Sequence, residues 1–213
     1  MTPAEQSQNA LALCQMAPVI PVLVIEDLAH AVPLAQALVA GGLPVLEVTL
    51  RTDCALEAIA QMARIEGAVV GAGTVLTPEQ MADARAAGAR FAVAPGATSA
   101  LIDAARLNEM PLLPGAQTCS EVMSLMEHGY TVQKFFPAEA IGGANALKSI
   151  AGPLPQVTFC PTGGISAARA PDYLALPNVA CVGGSWVAPK DAMAVGDWDA
   201  ITRLARAASE LPR

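Results

Sequence analysis

Short apolar runs, many of them β-branched, alternate with longer Ala- and Leu-rich runs along most of the chain. The short runs are 19–25, 44–50, 68–74, 91–95, 111–115, 131–136, 157–162 and 179–183. Their length and near-continuous apolarity fit strands buried on both faces of a parallel sheet. The longer runs, 28–40, 54–65, 78–87, 99–108, 120–128, 144–151, 167–176 and 198–210, fit amphipathic helices. This makes eight β-then-α units, preceded by an extra helix at 4–15. The pattern predicts an α/β chain folded as a (β/α)8 TIM barrel with an additional N-terminal helix. A doubly wound open sheet would use the same alternation with fewer strands. With no linker, low-complexity tract or charge block to divide it, 1–213 is expected to be a single domain, with 1–17 as an N-terminal helical extension.

Local signals mark where the helices begin and end. Asp27, Thr77 with Pro78, Thr98, and Thr118 with Glu121 three positions later are capping or first-turn residues. Gly41, Gly88 and Gly129 are placed to close helices. In a barrel the chemistry sits where strands end and βα loops begin. Unusual residues gather at those positions: Glu47, Thr49 and Arg51; Gly71, Gly73 and Thr74; Pro95 and Gly96; Pro114 and Gly115; Lys134; 161–164; 183–185.

Composition narrows the function classes. Apolar residues make up 54% and charged residues 15% of the 213 residues, which excludes a disordered chain. The longest apolar stretch, 17–25, is broken by Pro18 and Pro21 and is far short of the ~20 residues of a membrane span. The N-terminal segment lacks a basic n-region, so no secretory signal is expected and the location is read as cytoplasmic. A net charge of −7, with two Tyr and two Trp, argues against a nucleic-acid surface. Five widely spaced cysteines (Cys14, Cys54, Cys119, Cys160 and Cys181) without a C-x-x-C pattern fit reduced thiols better than disulfides or a zinc site. Cys160, before a glycine-rich turn, reads as a small buried apolar residue rather than a nucleophile. His30 and His128 fall in helical segments and read as helix-surface residues, so no metal or other cofactor is expected.

Lys134 changes the picture most. It interrupts Thr-Val-Gln-Lys-Phe-Phe-Pro (131–137), which otherwise reads as a buried strand. Burial disfavours an ammonium and can bring a lysine from ~10.4 toward ~7–8, making it a nucleophile suited to a Schiff base with a carbonyl. The plainer reading is a lysine that reaches the barrel rim or pairs with a carboxylate. In Val45-Leu-Glu-Val-Thr-Leu-Arg51, a period of two puts Glu47, Thr49 and Arg51 on one face and Leu46, Val48 and Leu50 on the other. Such an inward polar stripe is costly unless paired or used. It is either a structural ion pair of Glu47 with Arg51 or Lys134, or a proton shuttle (Glu47) beside an anchor for a carboxylate (Arg51). Pro161-Thr-Gly-Gly-Ile-Ser166 and Gly183-Gly-Ser185 follow adjacent strands, where paired glycines free N–H groups for an anion and Ser166 can cap a short helix. These are the usual phosphate-site loops of this architecture.

Six motifs run in order through the chain: Ala37-Leu-Val-Ala-Gly-Gly42, Leu46-Glu-Val-Thr-Leu-Arg-Thr52, Val70-Gly-Ala-Gly-Thr-Val75, Lys134-Phe-Phe-Pro-Ala-Glu139, Cys160-Pro-Thr-Gly-Gly-Ile165 and Gly183-Gly-Ser-Trp186. On them the chain closely resembles the 2-keto-3-deoxy-6-phosphogluconate (KDPG) aldolases, also described as 4-hydroxy-2-oxoglutarate (KHG) aldolases. The resemblance implies a metal-free class I aldolase on a (β/α)8 barrel, a homotrimer, acting on a small 2-keto acid phosphate. Carried over by motif, Lys134 is the Schiff-base lysine and Glu47 the general acid/base. Arg51, Thr74, Pro95 and Phe136 then line the pyruvate end, Gly163, Gly164, Gly184 and Ser185 hold the phosphate, and Thr162 faces the sugar hydroxyls. The segment Ile25-Glu-Asp27 is more acidic than in relatives that carry lysines there. The alternatives are the galactonate-series aldolase, a phosphate-binding barrel of other chemistry, and a non-catalytic metabolite-binding barrel.

Overall fold

The structure, a computed structural model, describes residues 1–213. Its strands are β1 (Val19–Leu23), β2 (Val45–Thr49), β3 (Val69–Gly73), β4 (Ala92–Val93), β5 (Leu112–Leu113), β6 (Gly115–Ala116), β7 (Val132–Phe135), β8 (Thr158–Pro161) and β9 (Val182–Gly184). Its helices are α1 (Pro3–Gln15), α2 (Ala31–Ala40), α3 (Ala55–Met62), α4 (Pro78–Ala86), α5 (Ser99–Leu107), α6 (Cys119–Glu127), α7 (Gly143–Ala151), α8 (Ala170–Leu174), α9 (Lys190–Ala194) and α10 (Trp198–Ser209). All strand pairs are parallel. They form a curled sheet in the order β5-β4-β3-β2-β1-β9, and a second group β6-β7-β8. Single bridges link β8 to the segment before β9 (Phe159 with Val179) and the residue after β8 to β9 (Thr162 with Gly183).

The expected fifth strand, 111–115, is split into β5 and β6 around Pro114. Proline has no N–H to give to a ladder, so regular pairing stops there. Its carbonyl still accepts from the Lys134 N–H at 2.8 Å.

Strand alternation sorts the side chains into two apolar clusters. Leu46, Val48, Phe135, Phe159 and Val182 point outward into a cluster of 51 buried residues between strands and helices. Val45, Val132, Cys160 and Cys181 point inward into a smaller cluster of 10, together with Ala10 and Cys14 of α1. Helix α1 packs against β5 and β7. It opens with a Thr2–Glu5 capping box and Pro3 in its first turn. The Ser7 hydroxyl accepts from the N–H groups of Thr131 (3.0 Å) and Val132 (2.8 Å). The helix thus satisfies backbone donors at the start of β7 that would otherwise be orphaned near the core.

The caps form as expected at Thr77, Thr98 and Thr118, the last as a full capping box with Glu121. Gly41 closes α2 as expected, and two local expectations need correction. The expected helix 28–40 begins as a short 3-10 turn, Leu28–His30, capped by Asp27, before α2. Gly41 ends α2 with φ −81°, and the left-handed conformation falls on Gly42 (φ 89°). The expected helix 167–176 shrinks to α8, so Ser166 caps nothing: the helix N-cap is Arg169, and only the Ser166 carbonyl is used, accepting from Arg169 and Ala170. Pro171 fixes the first turn of the helix downstream of where Ser166 could serve it. Helix α9 was not expected from the sequence. No helix is long and apolar enough to cross a membrane.

Candidate active site

The alternation of β2 and β7 turns Glu47 and Lys134 to the inner face, where both are buried at 2% and 4% exposure. Lys134 Nζ lies 3.4 Å from Glu47 Oε1. Burial pushes the Glu47 carboxyl above its ordinary range, and the Lys134 charge opposes that push. A dry carboxyl that holds protons more readily than usual, beside a primary amine, can relay protons to and from whatever the amine attacks. The ammonium also sits 5.2 Å from the centre of the Phe136 ring, within cation–π range.

The rest of the β2 stripe is built from the same period. The Thr49 hydroxyl donates to the Leu23 carbonyl at 2.8 Å and accepts from Arg51 Nε at 3.1 Å. Arg51 is exposed at the strand end, with its terminal nitrogens left for another partner. It lines a cavity of about 280 Å³ together with Ser185, Val22, Val24 and Lys190. Lys190 is also 2.6 Å from Glu26. The acidic residue of the first loop is therefore matched by a lysine on the last one, at an exposed pair worth little to stability.

A second cavity of about 310 Å³ is lined by Pro95, Gly96, Gly115 and Phe136. Phe136 also backs the glycine loop: a methyl group at Gly163 would stand 3.3 Å from its ring. Gly163 and Gly164 hold φ values of 106° and 77°, which suit glycine. The bridge between Thr162 and Gly183 sets this loop beside the Gly183–Ser185 turn. Thr162 Oγ1 is buried and has no hydrogen-bond partner. An unpaired buried hydroxyl is costly and is suited to a polar group brought in by a ligand. Thr74 sits at φ 57°, where a β-branched residue is held at a cost of about 1–3 kcal/mol.

Gly73 and Gly183, marked in the sequence by their place at strand ends, make room for two site side chains. A Cβ at Gly73 would collide with the Glu47 carboxylate, and one at Gly183 with the Thr162 hydroxyl. Gly73→Ala should therefore displace Glu47 and cost about 1–3 kcal/mol of stability by overpacking, measured by urea denaturation. An unchanged midpoint would mean that the carboxylate has room to move.

The histidines lie apart from this group. His30 stacks edge-on against Trp198, on the 3-10 turn rather than on a helix surface. His128 is exposed, with Nδ1 2.8 Å from the Ser124 carbonyl. The side chains that could gather around a metal are those of Cys14, Cys160 and Cys181. All five cysteines are free thiols.

Known proteins resemble this chain over nearly its full length. The sequence model of the KDPG and KHG aldolase family matches residues 11–204. The KHG/KDPG aldolase of Escherichia coli strain K12 is 56% identical over 203 residues, covering 95% of both chains. The crystal structure of the 2-keto-3-deoxy-6-phosphogluconate aldolase of Zymomonas mobilis ZM4 with 3-phosphoglycerate is 52% identical. It superposes with a TM-score of 0.92 over 97% of this chain and 98% of that one. The KDPG aldolase of Legionella pneumophila, with pyruvate captured as a covalent carbinolamine intermediate, is 51% identical, with a TM-score of 0.91 over 94% and 98%. With Lys134 and Glu47 paired on the inner face of a curled parallel sheet and these matches end to end, the chain belongs to the KDPG and KHG aldolase family.

Proposed function

We propose that this protein is a class I aldolase that cleaves 2-keto-3-deoxy-6-phosphogluconate to pyruvate and glyceraldehyde 3-phosphate, and that it also acts on 4-hydroxy-2-oxoglutarate. The observation that carries the reading is the buried Lys134–Glu47 pair at 3.4 Å. A lysine held dry beside a proton-retaining carboxyl is the minimal kit for imine chemistry. The relatives' names supply the substrate.

In this reading Arg51 and Thr74 hold the substrate carboxylate, with Pro95 and Phe136 walling the pyruvate end. Glu47 accepts the ammonium proton, and the neutral Lys134 amine attacks the C2 carbonyl. Glu47 then hands protons to the departing water, leaving a protonated imine. The carboxylate takes the proton from the C4 hydroxyl, the C3–C4 bond breaks, and the imine accepts the electron pair as an enamine. Glyceraldehyde 3-phosphate leaves, the enamine is protonated at C3, and hydrolysis frees pyruvate and Lys134. Gly163, Gly164, Gly184 and Ser185 bind the phosphate through N–H groups and the serine hydroxyl, and Thr162 donates to or accepts from a sugar hydroxyl. The same reading makes the curled sheet a closed (β/α)8 barrel and the chain one domain, active in the cytoplasm as a homotrimer.

The test is borohydride reduction with pyruvate, followed by intact mass and peptide mapping. A pyruvate-sized adduct on the peptide holding Lys134 is expected; its absence from folded protein would move the weight to a phosphate-binding barrel of other chemistry. The galactonate-series substrate is the second reading. Thr162, unpaired at the hydroxyl-facing position, favours the gluconate series. The gluconate epimer should react at least ~10-fold faster, since a site built to pair a hydroxyl discriminates against a misplaced one. Equal kcat/KM values on the two epimers would remove that preference.

A further inference from the structure

On the α1 side of the Lys134–Glu47 pair, three thiols meet inside the curled sheet. Cys14 comes from α1, Cys160 from β8, and Cys181 from the residue before β9. All three sulfurs lie within 4.8 Å of one another. Cys181 Sγ is 3.5 Å from Cys160 Sγ. The three residues are buried, at 1%, 2% and 0% exposure. Their surroundings are apolar, among them Ile20, Val45, Phe91 and Val132. Nothing in the aldolase reaction uses them.

We propose that Cys14, Cys160 and Cys181 form a binding site for one soft, three-coordinate cation of the copper(I) class. The donor set decides the class. Three sulfurs without a histidine or carboxylate select a thiophilic ion. Structural zinc requires four nitrogen or sulfur ligands, and this cluster offers three. A metal–sulfur bond of about 2.3 Å in a planar three-coordinate complex sets the sulfurs about 4 Å apart. Here one pair of sulfurs stands 3.5 Å apart and all three lie within 4.8 Å of one another, so small side-chain shifts reach that value.

Binding is an exchange of thiol protons for the metal: each ligating S–H proton passes to solvent, and copper stays in its +1 state. The resulting complex is anionic, and Lys134, whose Cα pairs with that of Cys160 in the β7–β8 ladder, places a counter-charge beside it. Loading requires α1 to lift, which an N-terminal helix does at less cost than the sheet.

Binding is independent of the aldolase reading, so the test reads the metal and not turnover. The full chain, reduced and kept anaerobic, is titrated with copper(I) supplied as its acetonitrile complex against bicinchoninate. One copper per chain is expected, with X-ray absorption showing three sulfurs at about 2.3 Å. Cys14→Ala, which lies outside the catalytic machinery, should lower the affinity by at least ~100-fold, as should Cys181→Ser. Replacing Cys54 and Cys119, which lie outside the cluster, should leave the affinity unchanged. The proposal is overturned by substoichiometric binding, by binding that survives both Cys14→Ala and Cys181→Ser in folded protein, or by binding lost with Cys54 and Cys119.

Discussion

Lys134→Met is expected to remove the borohydride-trapped pyruvate adduct and to lower kcat/KM by about four orders of magnitude or more, the scale on which loss of a covalent nucleophile is felt. Methionine fills a similar volume, so packing around the inner face is largely kept. What changes is charge. In the native protein the Lys134 ammonium opposes the effect of burial on Glu47; without it the carboxyl is pushed further above its ordinary value. A carboxyl whose folded value exceeds its unfolded one contributes stability that is complete below the unfolded value and is lost as pH rises through the folded one. The variant should therefore match the native protein near about pH 4. It should fall behind as pH climbs from the ordinary value of 4.5 through the raised one, reaching a deficit of up to about 3 kcal/mol near pH 8. Urea midpoints at the two pH values check this. A deficit independent of pH would mean that lost packing, and not the stranded carboxylate, is the cause.

Glu47→Gln separates proton transfer from binding. Glutamine keeps the shape and can still accept a hydrogen bond from Lys134, but it cannot take a proton. Turnover should fall by about 10²–10⁴-fold, the usual share of a positioned acid/base, while KM for the phosphorylated substrate changes little. The pH profile carries a second signature. Glu47 must be ionised to receive the first proton, so activity should fall with decreasing pH through its raised value, above the ordinary carboxylate range. In Glu47→Gln that acidic limb should vanish. If turnover stays intact, or the limb persists unmoved, another group carries the protons.

Much of this site is legible in the sequence because the side-chain period of a strand is two. Glu47, Thr49 and Arg51 must share a face once 44–50 is a strand, and the structure connects them through the hydroxyl of Thr49. The capping threonines act within three residues of themselves, and so they too are readable. Apolar run length predicts one fifth strand over 111–115 because it does not register the missing N–H at Pro114 that splits it. The local pattern suggests Ser166 as a cap, but where a short helix starts depends on what it packs against, and α8 begins at Ala170.

Local period and residue chemistry are enough to set the alternation of strands and helices, the inward polar stripe, the lysine in a buried strand and the glycine-rich turns. Which distant residues meet depends on the fold. It brought Lys134 to Glu47 across 87 positions. It made Gly73 and Gly183 the spaces into which Glu47 and Thr162 fit. It gathered Cys14, Cys160 and Cys181, widely spaced in the sequence, into one dry cluster. The physical reason is the same in each case: a parallel sheet places side by side residues that the intervening helices hold far apart along the chain, and the inner face they share is defined only once it has curled.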